Sequence, residues 1–196
     1  MKLLPYGPRA VLAEFDTLDQ VMAAAAEWRA ASWPGVVDIV PAARTVLVVH
    51  DGQFETGRLH VPATLAPLAD SPLVVVPVRY DGEDLAWVAE RSGLTSDQVI
   101  HIHSAAEYVC AFCGFMPGFS YLVGLPSALH LPRRSTPRTR VPAGSVAIAS
   151  EFSAVYPGES PGGWHVLGST TTVMWEDTRD PPATIPPGAR VRFEPT

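Results

Sequence analysis

Lysine is almost missing from this chain. Among its 14 basic residues only Lys2 is a lysine, at a terminus expected to be mobile. That excludes an internal Schiff-base lysine, a biotinylated lysine and a phosphate-binding loop, and no G-x-x-x-x-G-K-[ST] stretch occurs. Nucleotide chemistry, if used, must therefore rely on another chain or on another kind of site. No apolar run approaches the ~20 residues needed to span a bilayer. The opening Met1-Lys-Leu-Leu-Pro-Tyr-Gly-Pro-Arg9 breaks too early for a signal peptide, so the expected location is cytoplasmic. A net charge of −6 argues against bulk nucleic-acid binding, which needs a basic face.

Cysteine is also scarce. Cys110 and Cys113 form one C-x-x-C with no second pair to complete a zinc site. They sit in a strand-like run rather than at a helix start, where residues three apart point to opposite faces. Structural, reduced thiols are expected, and no metal site.

What is present is a core and many corners. Hydrophobic residues make up 47% of the chain against 17% charged, as in a folded globular protein. Proline is abundant, at 20 of 196 residues, and much of it follows residue 115. The first half alternates strand and helix signals. Val11 to Phe15 reads as a strand, and Thr17-Leu-Asp-Gln20 as a capping box opening a helix over Val21 to Ala31. Val36 to Val40 and Thr45 to His50 read as a hairpin, residues 54–69 as a weak helix, and Leu73 to Tyr80 as a strand. This β-α-β-β-α-β order suggests a ferredoxin-like sandwich. Leu85 to Arg91 and a segment opened by the Thr95-Ser-Asp-Gln98 box read as short helices. After Glu107, short apolar runs alternate with Gly/Pro/Ser clusters, the pattern of a barrel or sandwich. The domains are expected as residues 1–75, α+β, and 76–196, mainly β.

Two segments place aromatics on Pro/Gly corners, Phe112-Cys-Gly-Phe-Met-Pro-Gly-Phe-Ser-Tyr-Leu122 and Tyr156-Pro-Gly-Glu-Ser-Pro-Gly-Gly-Trp-His-Val-Leu-Gly168. Proline removes a donor and glycine permits unusual φ, so such backbone suits a pocket wall or interface. The alternative is a bulged strand or an aromatic turn in a β core. Between the segments lies an arginine-dense loop from Pro132 to Val146.

These motifs, with Tyr6-Gly-Pro-Arg-Ala10, Pro34-Gly-Val-Val-Asp-Ile-Val-Pro41, Pro132-Arg-Arg-Ser-Thr-Pro-Arg138, Val141-Pro-Ala-Gly-Ser-Val-Ala-Ile148 and Ser160-Pro-Gly-Gly-Trp164, resemble the KipI family. It is also called allophanate hydrolase subunit 1, or the B component of bacterial ATP-dependent 5-oxoprolinase. The resemblance runs from about residue 5 to residue 194. It implies a small α+β domain followed by a cyclophilin-like β-barrel. It implies a non-autonomous subunit that shares its site with a second cyclophilin-like subunit (the C component of 5-oxoprolinase, KipA-like). Some members add a third (the A component, LamB/YcsF-like). The implied reaction opens 5-oxo-L-proline to L-glutamate at the expense of ATP, with Mg2+ as its companion ion and the nucleotide held with or by the partners. Two alternatives stand: an inhibitor of a sensor histidine kinase, and a subunit of urea carboxylase or allophanate hydrolase type.

Arg133, Arg134, Arg138 and Arg140 place four of the 14 basic residues within eight positions. Guanidinium forks bind carboxylate or phosphate bidentately. The alternative is a solvated loop of weak ion pairs. Arg133 and Arg138 match the family motif and are favoured, Arg138 as catalytic and Arg133 as substrate-binding. His103 is the acid–base candidate because histidine titrates near neutrality. The alternative for it is a helix-terminal histidine satisfying a carbonyl. His101 lies two positions away, and His165 is left outside the catalytic set. Phe115, Pro117, Gly118, Phe119, Tyr121, Tyr156, Gly162, Gly163 and Trp164 are candidate walls. Ser145 has no nucleophile elbow around it and is a hydrogen-bonder at most.

Overall fold

The computed structural model describes residues 1–62 and 71–196. It divides into two compact units, Met1–Asp70 and Ser71–Thr196.

The first unit is a four-stranded antiparallel sheet backed by one helix. Its strands are β1 (Lys2–Pro5), β2 (Ala10–Glu14), β3 (Val36–Pro41) and β4 (Thr45–His50), in the order β1-β2-β4-β3. Helix α1 (Leu18–Ala31) starts where the Thr17 hydroxyl accepts the Gln20 N–H. The return half of the expected box lands one residue early, as the Asp16 N–H donates to the Gln20 side chain. Ser32 in the left-handed region ends the helix. Val21, Ala24, Ala25 and Trp28 of α1 pack on Val11, Ala13, Ile39, Val46 and Val48 of the sheet.

The ferredoxin-like expectation is not met. Lys2 is in a strand rather than a loose terminus, and β1 occupies the sheet edge beside β2. The run expected to close this sheet, Leu73 to Tyr80, pairs elsewhere. β1 reaches β2 through a four-residue turn, so little loop entropy opposes that local pairing. Within residues 54–62, the described part of the weak helix expected over 54–69, a 3-10 turn forms at Thr56–Arg58, between buried Phe54 and Leu59. Residues 63–70 lie outside the described part.

The second unit opens with β5 (Leu73–Val78), α2 (Leu85–Ser92) and α3 (Ser96–Ala105). It continues through β6 (Tyr108–Cys113), β7 (Ser120–Val123), β8 (Arg138–Val141), β9 (Ser145–Ala149) and β10 (Phe152–Val155). The last strands are β11 (Ser160–Gly162), β12 (His165–Ser169) and β13 (Arg190–Pro195). Seven strands form one sheet in the order β12-β9-β10-β7-β6-β13-β5, with β5 parallel to β13. The two ends of this sheet meet. Arg79, just past β5, exchanges both backbone hydrogen bonds with Ser169 of β12, at 2.9 and 2.8 Å. The sheet is thus a nearly closed, barrel-like wall. Glycines allow the seam, because a Cβ on Gly82 or Gly168 would overlap the backbone of the facing segment. β8 and β11 form a separate two-stranded ribbon. α3 carries the expected capping box at Thr95 and Gln98, both halves present. α2 ends on Gly93 at φ +67. The barrel interior is filled by Val76, Val78, Leu122, Ile148, Leu167 and Phe193, among others.

Candidate functional site: an aromatic corner held by an arginine clamp

β6 and β7 are joined by a tight turn, in which Gly114 N–H donates to Phe119 O, Met116 N–H to Gly114 O and Phe119 N–H to Met116 O. This holds Phe115 at φ +73 with 63% of its surface exposed. A bulky residue there costs about 1–3 kcal/mol in backbone strain, a signature that clusters at functional positions. Pro117 is exposed beside it and Gly118, at φ +79, lies against the backbone of Met174.

Phe119 turns inward and makes edge-to-face contacts with Phe115, Tyr121, Tyr156 and Trp164, at centroid distances from 5.1 to 5.5 Å. Such geometry aligns ring edges with the negative faces of their neighbours. Phe112 and Phe152 extend the cluster through Tyr121. The Tyr156 hydroxyl lies where a Cβ on Gly162 would overlap it, so the glycine makes room for the ring. Burial pushes the Tyr156 pKa up; a backbone hydrogen bond from Trp164 and the charges of Arg133 and Arg138 partly oppose it. The proposed walls Phe115, Phe119, Tyr121, Tyr156, Gly162 and Trp164 are therefore one constellation, with Arg133 and Arg138 close by. Gly163 tethers the arginine loop, as its carbonyl accepts the Arg134 N–H at 2.8 Å. Ser145 is buried; its carbonyl accepts the Tyr156 N–H at 2.9 Å, and its hydroxyl is used locally, donating to Pro142 O at 2.8 Å.

The arginines divide sharply. Arg134 and Arg138 both donate to Asp84 Oδ1 at 2.8 Å, and Arg138 Nε also meets Glu83 at 2.7 Å. Asp84 Oδ2 accepts the backbone N–H of Val166 at 2.7 Å. Burial would raise the Asp84 carboxyl; hydrogen bonds from Arg138 and Val166, with both guanidinium charges, outweigh it and hold the pKa below the usual carboxylate range. The hydrogen bond to Asp84 raises Arg138 in turn. Arg140 pairs with Glu159 in an exposed contact of 2.6 Å. Arg133 is different: it has no carboxylate partner among the described residues, and its guanidinium lies 5.8 Å from the Trp164 ring centroid. Asp84 is the residue that sequence reasoning missed. It lies just before the helix expected from Leu85, and it anchors Arg134 and Arg138 of the arginine loop.

His103 is not at this corner. It is fully buried, its ring stacked on Phe193 at 4.6 Å. Nδ1 lies 2.8 Å from the Tyr80 hydroxyl and Nε2 2.9 Å from Ser153 Oγ. Ser153 Oγ can donate onward to Ala147 O. Nε2 then carries the proton, Nδ1 accepts from Tyr80, and every polar group is satisfied by a neutral ring. Burial pushes the His103 pKa down to about 3. The expected helix-end histidine, poised for proton transfer, is thus a sealed part of the core.

The two cysteines also differ from expectation. A bulge between Cys110 and Phe112 breaks the alternation, and the two Sγ atoms lie 3.9 Å apart rather than on opposite faces. Among the described residues no group of three His, Cys, Asp or Glu side chains is placed to hold a metal ion. No helix of the described residues is long and apolar enough to cross a membrane.

Known proteins give this geometry a context. The chain is 47% identical over 129 residues to the B component of 5-oxoprolinase from Escherichia coli O157:H7, covering 64% of this chain and 59% of that relative's length. It is 35% identical over 194 residues to the protein of the same name from Bacillus subtilis (strain 168), covering 88% of this chain and 81% of the relative. The crystal structure of TTHA0988 superimposes with a TM-score of 0.81 at 36% identity, over 96% of this chain and 40% of that one. Residues 1–185 match the model of the carboxyltransferase domain, subdomain C and D. With the barrel-like second unit and its aromatic corner, that match makes the chain a member of the carboxyltransferase domain C/D family.

Proposed function

We propose that this chain is a subunit of an ATP-dependent 5-oxoprolinase and forms one wall of a site completed by a second cyclophilin-like subunit. The observation that carries this reading is Arg133 on the Trp164 face, beside a preformed aromatic corner. A lactam with a carboxylate needs an apolar surface for the ring and a cation for the charge; exposed Phe115 and half-buried Tyr121, backed by the buried rings, offer the first, and Arg133 the second. The other polar candidates are committed. Arg134 and Arg138 hold Asp84, and His103 is sealed in the core. We therefore assign Arg138 and His103 to scaffolding and Arg133 to binding. Exposed, strained Phe115 suits contact with the partner subunit.

In the proposed reaction the lactam oxygen takes the γ-phosphoryl group of ATP, releasing ADP. One water adds to the activated carbon and the ring C–N bond breaks, leaving the amine and an acyl phosphate. A second water releases phosphate and L-glutamate. This chain's contribution is to orient the ring and its carboxylate, which lowers the entropic part of the barrier. The test is glutamate release from 5-oxoproline and ATP, with the chain alone and then mixed with its companion subunits. Activity in the mixture and none for the chain alone is expected. An assembled complex without turnover would overturn the assignment.

A further inference from the structure

A concavity lies on the α2 side of the arginine loop. It has a volume of about 470 Å3 and is lined by Trp87, Arg91, Arg133, Arg134, Ser135 and His165, with no Asp or Glu in its lining. In a chain of net charge −6, three guanidinium-bearing residues around one acid-free hollow form a local reversal of sign. Arg134 is balanced by Asp84, which leaves Arg91 and Arg133 as cations without an ion pair among the described residues.

The hollow also has a flat wall. The Trp87 indole lies on the His165 ring at 4.4 Å and 14° between planes. The histidine is locked in place, because Nε2 meets the Pro132 carbonyl at 2.9 Å and a carbonyl can only accept. Trp87 nevertheless keeps 42% of its surface exposed. With one face on His165, that exposure belongs to the opposite face and the edge. An exposed indole braced from behind, beside two guanidiniums without an ion pair among the described residues (Arg133 also borders the Trp164 corner), matches a ligand that joins a planar ring to an anion. The guanidinium fork and the Ser135 hydroxyl match the several acceptor oxygens of a phosphoryl group better than a single carboxylate. The volume falls within the range of small-molecule sites.

We propose that this hollow binds a nucleoside phosphate, with its base on Trp87 and its phosphoryl group between Arg91 and Arg133. The absence of a lysine-bearing phosphate loop is consistent with it, since arginines and an aromatic plate do the same work. The inference does not depend on the 5-oxoprolinase reading, because it concerns equilibrium binding by this chain alone. A chain that fails to support turnover can still bind, and a subunit that supports turnover can fail to bind.

The test is calorimetric titration of the full chain with AMP, inorganic phosphate and adenosine, on wild type, Trp87→Ala and Arg91→Ala. Both substituted side chains are exposed, and circular dichroism checks that the variants fold. AMP is expected to bind at least tenfold more tightly than phosphate or adenosine. Trp87→Ala should weaken AMP at least tenfold and leave phosphate unchanged, whereas Arg91→Ala should weaken both AMP and phosphate. No AMP binding by wild type would overturn the proposal. So would AMP binding that both variants leave intact, or AMP binding no tighter than phosphate.

Discussion

The core around His103 and the corner around Trp164 are built from the same kinds of residue, aromatics with one or two polar groups among them, and are put to opposite uses. In the core, the Tyr80–His103–Ser153 chain gives every donor an acceptor and burial keeps the ring neutral. At the corner, Arg133 is left facing an aromatic plate with no carboxylate among the described residues to neutralise it. The same contrast separates Arg138, which opens β8, from Arg133, five positions before it in the loop. Residue type nominates a group for chemistry, but whether its bonding capacity is already used decides whether it can act.

The sharpest way to break this contrast is to remove the anchor. Asp84→Ala leaves Arg134 and Arg138 without their shared acceptor and Val166 N–H without its partner. Breaking such a buried network costs about 3–5 kcal/mol, to be read by urea denaturation. A loss below ~1 kcal/mol would mean that the arginines are held by something else.

The core half of the contrast predicts a pH dependence. The folded-state pKa of His103 is lowered to about 3, so the unfolded chain takes up the proton first. Its contribution to stability is complete above the unfolded value of ~6.5 and is lost as pH falls towards 3, at about 1.4 kcal/mol per pH unit. Between pH 6.5 and 5, above the main carboxylate range, wild type should lose about 1.5–2 kcal/mol, and His103→Gln should show a flatter profile. Equal slopes would place the histidine outside the sealed core. Below that window Asp84 adds to the loss, since a carboxyl with a lowered folded pKa stabilises above its unfolded value and stops doing so on protonation.

A smaller effect is expected at Phe115. Phe115→Gly relieves the positive φ and forfeits the contact with Phe119, so stability should stay within about 1 kcal/mol of wild type. Assembly with the partner should weaken, as seen by co-sedimentation; unchanged assembly would remove Phe115 from the interface. The smallest effect belongs to Arg140, whose pair with Glu159 is exposed. Arg140→Ala should cost no more than about 1 kcal/mol and leave turnover alone.

What could be read from the sequence was local. The Thr95 box and the strands around Val11 and Thr45 depend on neighbours a few positions away, and they formed where expected. The destination of Leu73–Val78 depended on β13, more than 100 residues later, and alternation alone could not choose between sheets. Asp84 was missed for the same reason, since its partners lie 50, 54 and 82 positions away. The signal was an acid at the threshold of an apolar helix in a chain whose arginine loop needs a counter-charge. For His103 the hint was its spacing: it lies four residues after buried Val99, on the inner face of α3. The aromatic corner was legible because proline and glycine between aromatics mark a bent backbone wherever they occur.

The measurement that tests the central claim most directly compares Arg133→Ala with Arg138→Ala in the assembled complex, reading both KM for 5-oxoproline and the melting temperature. Arg133→Ala should raise KM at least tenfold, about 1.4 kcal/mol of binding, with an unchanged melting temperature; Arg138→Ala should lower the melting temperature and leave KM nearly unchanged in the folded fraction. If instead Arg133→Ala leaves KM unchanged while Arg138→Ala abolishes turnover without loss of stability, the clamp is the catalytic element and the account is wrong.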